Sequence, residues 1–366
     1  MKIKNIKITN FKSLKNIKLE LNNLTIITGV NSVGKSSLIQ SLLLIKQNQE
    51  KFYSIRGNKM VNINDKYVSL GNKKDILYEE VFEENIKIEI SNRDKKHKLI
   101  FNNKNLKIDN IELISEKKED ILNIFYDDFQ YIETDRVSPN ISYALSDEEI
   151  EKNLIGIKGE YTAHYLATNP HKKVLDCFIH QNSKTSQLLE NVSLWLSEIS
   201  SNISVKAKLY DELQQVNLTY QYTYKDTTTR DYTPLNVGFG ITYVLPIIVS
   251  ILKAQKGDLL IIENPESHLH PAGQSKVAEL CAIASANGVQ IIVETHSDHF
   301  LNGIRVATKK ALLTPNQSKV YYFRKEKDEL ETQIDKINID KEGGIDRYPK
   351  GFFDQMDEDL DKLISW

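Results

Sequence analysis

The chain opens with short alternating patterns. Residues 3–9 (IKNIKIT) and 16–20 (NIKLE) alternate apolar and polar positions and predict paired strands. Residues 24–28 (LTIIT) form a β-branched run, followed by GVNSVGKSS and then SLIQSLLLIKQ: strand, glycine loop, helix. From Tyr53 to about Asn110 the text is rich in lysine and asparagine with strand-like alternation (NIKIEI, HKLIFN), which predicts an antiparallel flank with exposed loops. Tyr161, Tyr165 and Leu166, then Leu188, Leu189, Val192 and Leu196, carry helical spacing, and 203–224 predicts a hairpin. After Pro234 a glycine-punctuated turn leads into the longest apolar stretch, Ile241 to Leu252, which is interrupted by Thr242, Tyr243 and Pro246 and is helix-length only. LLII, a loop, the helix AGQSKVAELCAIASAN, the strand VQIIVET, the loop HSDH and a further helix then give a βαβα alternation, the signature of a parallel sheet core. The tail mixes strands (KVYYFRKE, ETQIDKINI) with an acidic final helix, FFDQMDEDLDKLI. The fold class expected is α/β: a mainly parallel sheet flanked by helices, with an antiparallel β flank and a small helical arm. The expected segments are 1–52, 53–229, 230–310 and 311–366.

Length and composition narrow the function. A chain of 366 residues, 40% hydrophobic and 27% charged, holds two lobes or one large α/β domain with an insertion. Its formal charge of −2 excludes an arm-type or histone-like nucleic-acid binder and leaves only local patches. Cys177 and Cys281 stand far apart, which excludes a disulfide scaffold and a cysteine-ligated zinc and fits a reducing cytoplasm. MKIKNIKITNF lacks the apolar core of a signal peptide, and no run approaches membrane-spanning length. A cytoplasmic protein with no membrane contact is expected.

Gly29 to Ser36 matches G-x-x-x-x-G-K-[ST] between a strand and a helix. Glycines let the backbone turn its N–H groups toward a phosphate chain, and the helix start adds its positive dipole end. Lys35 supplies charge to the β/γ-phosphates, and Ser36 offers a hydroxyl to Mg²⁺. Gly29, Asn31, Ser32, Gly34, Lys35, Ser36 and Ser37 are the candidate nucleotide-binding residues. Such a site needs a carboxylate at the end of another apolar strand, and Leu259 to Glu263 supplies one. A third strand ends in Thr295-His296-Ser297, which puts an imidazole at a strand end. His268 and His270 alternate before a proline and read as loop-shaping residues, since no cysteine or third histidine converges on a zinc site.

The order GVNSVGKSS, NVGFGIT, LLIIENPESHLHPAGQ, IIVETHSDHF resembles the ABC-type ATPase heads of the SMC, RecF and OLD proteins. It is most similar to the small bacterial AAA-family ATPases of that clade, whose chains end in a tail like YPKGFFDQMDEDLDKLI. The likeness covers about 1–50, 230–305 and 347–364. It implies a P-loop NTPase fold of ABC-head type that uses ATP and Mg²⁺, with Ser36 and Glu263 on the metal and His296 as the switch histidine. It places the signature motif at Asn236, Gly238, Gly240 and Thr242, whose glycines and polar group would touch the γ-phosphate held by a second copy. A homodimer or higher homo-oligomer through the ATP site follows. So does a role in antiphage defence with a separate effector such as a nuclease. Gln40, in the helix after the loop, resembles a usual residue of the subgroup.

This chain departs from the clade at one position. Glutamate usually follows the metal-side acid and acts as hydrolytic base; here that residue is Asn264, which can orient a water but cannot deprotonate it. Glu266 is the nearest downstream carboxylate, so Glu263, Asn264, Glu266 and His296 form the candidate catalytic set. Slow or partner-stimulated hydrolysis is expected, with an ATP-sensing scaffold that hydrolyses little as the alternative. DNA binding is implied by the resemblance; Lys12, Lys15 and Lys18, and Lys95, Lys96 and Lys98, offer cations, but they equally suit a solvated face. Arg136, in YIETDRVSP, has two readings, a phosphate contact or a salt bridge, and GIKGEYTAHYL (156–166) resembles the subgroup with no physical role evident. A third reading, an OLD-type nuclease within this chain, is the less expected one, since such a module needs its own α/β sheet.

Overall fold

The structure, a computed structural model, describes residues 3–52, 59–80, 85–92, 96–102, 110–115, 129–225 and 227–364. Two compact units emerge: unit 1 draws on Met1–Asp127, Lys319–Asn338 and Ile345–Trp366, and unit 2 on Asp128–Ser318 and Ile339–Gly344. Lys95 lies outside the described residues.

Unit 1 begins with β1 (Asn5–Phe11) and β2 (Leu14–Glu20), paired antiparallel with Ile6 opposite Leu19 and Ile8 opposite Ile17. β3 (Leu24–Gly29) is buried along its whole length and runs into the glycine loop and α1 (Lys35–Gln47), followed by the short α2 (Gln49–Phe52). The lysine-rich stretch forms β4 (Lys59–Asn62), β5 (Asn85–Ser91), β6 (Lys96–Asn102) and β7 (Asn110–Ser115). These join the first two strands in an antiparallel sheet of order β2-β1-β5-β6-β7-β4. In β5, Ile86, Ile88 and Ile90 are buried and the residues between them are half-exposed. A one-residue slip would turn all three isoleucines to solvent, which is what holds the register.

Unit 2 supplies β8 (Phe129–Ile132), then three short helices, α3 (Asp147–Glu151), α4 (Thr162–Thr168) and α5 (Leu188–Ser197). The hairpin of β9 (Ile203–Tyr210) and β10 (Gln215–Tyr224), with β11 (Thr227–Thr228) at its edge, carries α4 and α5 against β9. The βαβα stretch follows: α6 (Phe239–Leu252), β12 (Leu259–Glu263), α7 (Pro271–Ala286), β13 (Gln290–Glu294) and α8 (Asp298–Lys309). β12 pairs in parallel with β8 on one side and β13 on the other, setting Ile261 between Tyr131 and Ile292. All five residues of β13 are buried, as expected of a strand covered on both faces. From Ile241 to Leu252 every residue of α6 is buried; at roughly 1.5–3 kcal/mol per large aliphatic side chain this helix is a principal anchor of the unit.

The 156–166 stretch acquires a role here. Gln130 Nε2 donates to the carbonyl of Gly156, Gln130 Oε1 accepts from Ile155 N, and Glu133 N donates to Ile157 O, so the segment flanks β8. Gly159 has φ +71, and a Cβ there would lie 2.3 Å from Pro246 Cβ in α6, so only glycine allows that approach.

The chain then returns to unit 1 through β14 (Ser318–Arg324) and β15 (Gln333–Ile337), antiparallel with Phe323 opposite Ile334, and ends in α9 (Gln355–Ile364). β14 lies between β3 and β15. No helix among the described residues is long and apolar enough to cross a membrane.

Candidate active site

In unit 1 the glycine loop is braced from outside. Gly29 has φ +143, and a Cβ there would fall 2.1 Å from the Phe323 carbonyl of β14. Gly34 has φ +101 and packs so tightly that a Cβ would meet Thr332 Oγ1 at 2.5 Å and Ser13 Oγ at 2.6 Å. Thr332 Oγ1 donates to Val33 O at 2.7 Å and lies 2.8 Å from Ser13 Oγ, so a β14–β15 loop residue pins the phosphate loop. Gly34 is also the N-cap of α1 and makes no side-chain cap bond. The cap residue of this 13-residue helix thus offers its first turn no side-chain acceptor, and the positive end of the helix dipole suits an anion. Lys35 is buried, and its Nζ donates to Gly29 O at 2.9 Å and Val30 O at 2.7 Å. The ammonium is thereby held at the loop's own carbonyls. Asn31, Ser32 and Ser36 are exposed and Ser37 is buried. Lys12 Nζ donates to Gln40 Oε1 at 2.7 Å, which gives Gln40 a local partner. A cleft of about 860 Å³ opens beside the loop, lined by Val30, Asn31 and Ser32 together with Tyr322, Arg324 and Tyr348.

In unit 2 the acidic strand end is built by β8 and β12. Glu263 Oε1 accepts from Tyr131 Oη at 3.0 Å, and Oε2 from Thr134 Oγ1 at 3.1 Å. Burial holds the Glu263 carboxyl above its ordinary range, opposed by these two bonds. A carboxylate at a strand end is the kind of oxygen donor that a hard cation such as Mg²⁺ takes.

Asn264 follows with φ +43, and its buried Oδ1 has no hydrogen-bond partner. Glu266 has both oxygens engaged: Thr295 Oγ1 donates to Oε2 at 2.8 Å and the His296 N–H to Oε1 at 2.7 Å. Burial also raises the Glu266 carboxyl, against the His296 N–H that favours its charged form. The loop after β12 is thus tied to the end of β13, with the His296 side chain exposed beyond it. Ser297 caps α8 by accepting from Phe300 N at 2.9 Å.

At the start of α6, Asn236 and Gly238 are exposed while Thr242 is buried, its Oγ1 3.2 Å from Tyr220 Oη. Gly240 faces the loop after β12: a Cβ would sit 2.3 Å from His268 O. His268 stacks edge-on with Phe239 and Tyr243, and His270 Nδ1 accepts from Ala272 N to cap α7, so both histidines have structural work. No group of three or more His, Cys, Asp or Glu among the described residues forms a metal-holding cluster.

Arg136 does not make the salt bridge that its sequence context allowed. Its buried guanidinium donates from Nη1 to Glu263 O and from Nη2 to Asn264 O, both at 2.8 Å, and lies 4.4 Å from the centre of the Tyr243 ring. It clamps backbone carbonyls, and burial lowers its pKa to about 10. Tyr131, Thr134 and Thr332 also serve the site and carry no motif. Only the strand that precedes Thr134 and its pairing with β12 could have pointed to the first two.

A family profile whose description is AAA domain, putative AbiEii toxin, Type IV TA system matches residues 24–302. A second, DUF3696, a protein family of unknown function, matches residues 313–363. The comparison with curated proteins found no significant match. Among solved structures, an Smc head bound to the C-terminal winged-helix domain of ScpA aligns with a TM-score of 0.53 at 14% identity, covering 92% of this chain and 98% of that one. The Smc head domain with an extended coiled coil, bound to the C-terminal domain of ScpA derived from Pyrococcus furiosus, aligns with a TM-score of 0.50 at 12% identity over 99% of each chain. At such identities the likeness concerns the fold: a P-loop ATPase head.

Proposed function

The chain belongs to the AAA-domain family that includes the putative AbiEii toxins, an ABC/SMC-like ATPase family, and on that premise we propose that it is an ATP-hydrolysing switch that associates with a second copy when ATP is bound. The observation that carries this reading is the braced phosphate loop, with Lys35 seated on the carbonyls of Gly29 and Val30 at the uncapped start of α1. In this reading the backbone N–H groups of the loop and α1 hold the phosphates, Lys35 neutralises the β/γ charge, and Ser36 and Glu263 hold Mg²⁺. Asn236, Gly238, Gly240 and Thr242 form the turn presented to the nucleotide of the other copy, with buried Thr242 anchoring it. The γ-phosphate is the contact that differs between ATP and ADP, so its loss releases the pair. A place in antiphage defence beside a separate nuclease effector, and contact with DNA, rest on sequence likeness. Lys35→Ala tests the core of the proposal. Calorimetry of the folded variant is expected to show no ATP binding, and undiminished affinity overturns the reading.

Asn264 favours a second reading, an ATP-sensing scaffold that hydrolyses little. No carboxylate occupies that position, and both Glu266 oxygens already accept hydrogen bonds from Thr295 and His296. A general base contributes about 10²–10⁴-fold, so a chain lacking one turns over slowly unless a partner supplies it. Steady-state phosphate release separates the two readings.

A further inference from the structure

Within unit 2 the first turn of α6 and the loop after β12 share one cluster of rings. Phe239 and His268 have centroids 4.6 Å apart at 65°, Tyr243 and His268 4.8 Å apart at 84°, and Phe239 and Tyr243 5.3 Å apart. The backbones also meet, since Gly240 leaves no room for a Cβ against His268 O. Arg136 lies over Tyr243, the buried tyrosine of this cluster, at 4.4 Å. Tyr243 Oη accepts from Arg136 N at 3.1 Å and donates to Thr134 O. The same guanidinium holds the carbonyls of Glu263 and Asn264 at 2.8 Å each, and reaches Glu133 O at 3.2 Å.

We propose that Arg136 is a positioning residue that couples the first turn of α6 to the acidic loop of the same chain, through the Phe239–Tyr243–His268 ring cluster and the carbonyls of Glu263 and Asn264. A contact that favours one arrangement of the turn then favours one placement of the Glu263 carboxylate and the Asn264 amide. That is a shift between states by differential contact, and it is reciprocal. If, as in the function proposed above, the turn meets a second copy's nucleotide, engagement in one site readies the acidic loop of the chain that supplied the turn.

The chemistry explains why arginine stands here. Two carbonyls side by side need a planar fork of N–H donors, and the flat face of the guanidinium can stack on tyrosine at the same time. Lysine has one donor centre and no face. Phe239 is 42% exposed, so its removal spares the core while cutting the link to His268. Tyr243→Phe keeps the ring and removes only the hydroxyl.

The first readout needs no nucleotide. In hydrogen exchange on the ligand-free chain, Phe239→Ala and Arg136→Lys are each expected to speed exchange in the 263–269 peptide about fivefold, the effect of losing one modest contact. Tyr243→Phe is expected to act in the same direction. The Phe239→Ala/Arg136→Lys double variant is expected to exchange no faster than the quicker single, because both cut one chain of contacts. Wild-type exchange in that peptide for Phe239→Ala, or single effects that multiply in the double, overturns the coupling. The second readout is turnover: Arg136→Lys is expected to lower kcat about 10–100-fold with KM for ATP within about twofold, the pattern of a group that orients others. A fall confined to KM overturns the positioning role. Wild type that neither binds nor cleaves ATP refutes the proposed function instead, and the exchange experiment still decides the coupling.

Discussion

Asn264 occupies the left-handed region at φ +43, which asparagine enters more readily than most side chains. Glutamate in its place pays about 1–2 kcal/mol of backbone strain while supplying the missing base. Asn264→Glu is therefore expected to melt earlier than wild type and, if water activation limits the reaction, to turn over about 10²-fold faster. Lower stability with unchanged single-turnover cleavage rules out a missing base as the bottleneck. Glu263 gives a second trade. Its carboxyl is raised by burial, so the folded chain binds a proton more readily than the unfolded one just above the usual glutamate range. The sign follows: this group's contribution falls as pH rises from the unfolded pKa through the folded one, and at neutral pH the buried charge is a net cost. Glu263→Gln is expected to raise the ligand-free melting temperature at neutral pH and to lose Mg²⁺-dependent turnover; a lower melting temperature contradicts the assignment of burial as the dominant effect. At this scale the motif residues were legible because each loop carries its own chemistry in consecutive positions. Tyr131, Thr134 and Arg136 were not, because they reach Glu263 only through the parallel pairing of β8 with β12, which no local pattern encodes.

Among the helices that start without a side-chain cap bond, α1 at Gly34 and α6 at Gly238 start on glycine, and both starts are expected to face phosphate. The glycines of the α6 turn are not equivalent. A Cβ on Gly238 would meet nothing closer than Ile241 Cδ1 at 3.8 Å, and its φ of −56 is ordinary. Gly238→Glu is therefore expected to fold with an unchanged melting temperature and to lose ATP-dependent association, because it adds bulk and negative charge where a phosphate is to sit. If light scattering shows the wild-type assembly with ATP and Mg²⁺, the turn is not the contact. Gly240→Ala drives a methyl against the His268 carbonyl and is expected to cost about 1–3 kcal/mol, the usual range for overpacking, read as a lower denaturation midpoint. The spacing NVGFGIT shows that glycines matter here. Which one is steric and which is open depends on the loop after β12, some 30 residues downstream and unseen by any helical period.

Across the whole chain, the alternation of strands and helices after Pro234 was enough to read a parallel core, and β12 with its two parallel neighbours follows from it. The return of 319–338 and 345–366 to unit 1 was not readable, since it depends on β14 lying beside β3 and not on any periodicity of the tail itself. That return matters for function: Thr332 and Phe323, from the far end of the chain, brace the loop that holds Lys35. In the function proposed above, ATP, and not ADP, brings two copies together. Sedimentation velocity of the full chain with Mg²⁺ tests it directly. A heavier species is predicted with ATP, absent with ADP and absent in Lys35→Ala. The same sedimentation with ATP and ADP, in a chain shown to bind both, would contradict it.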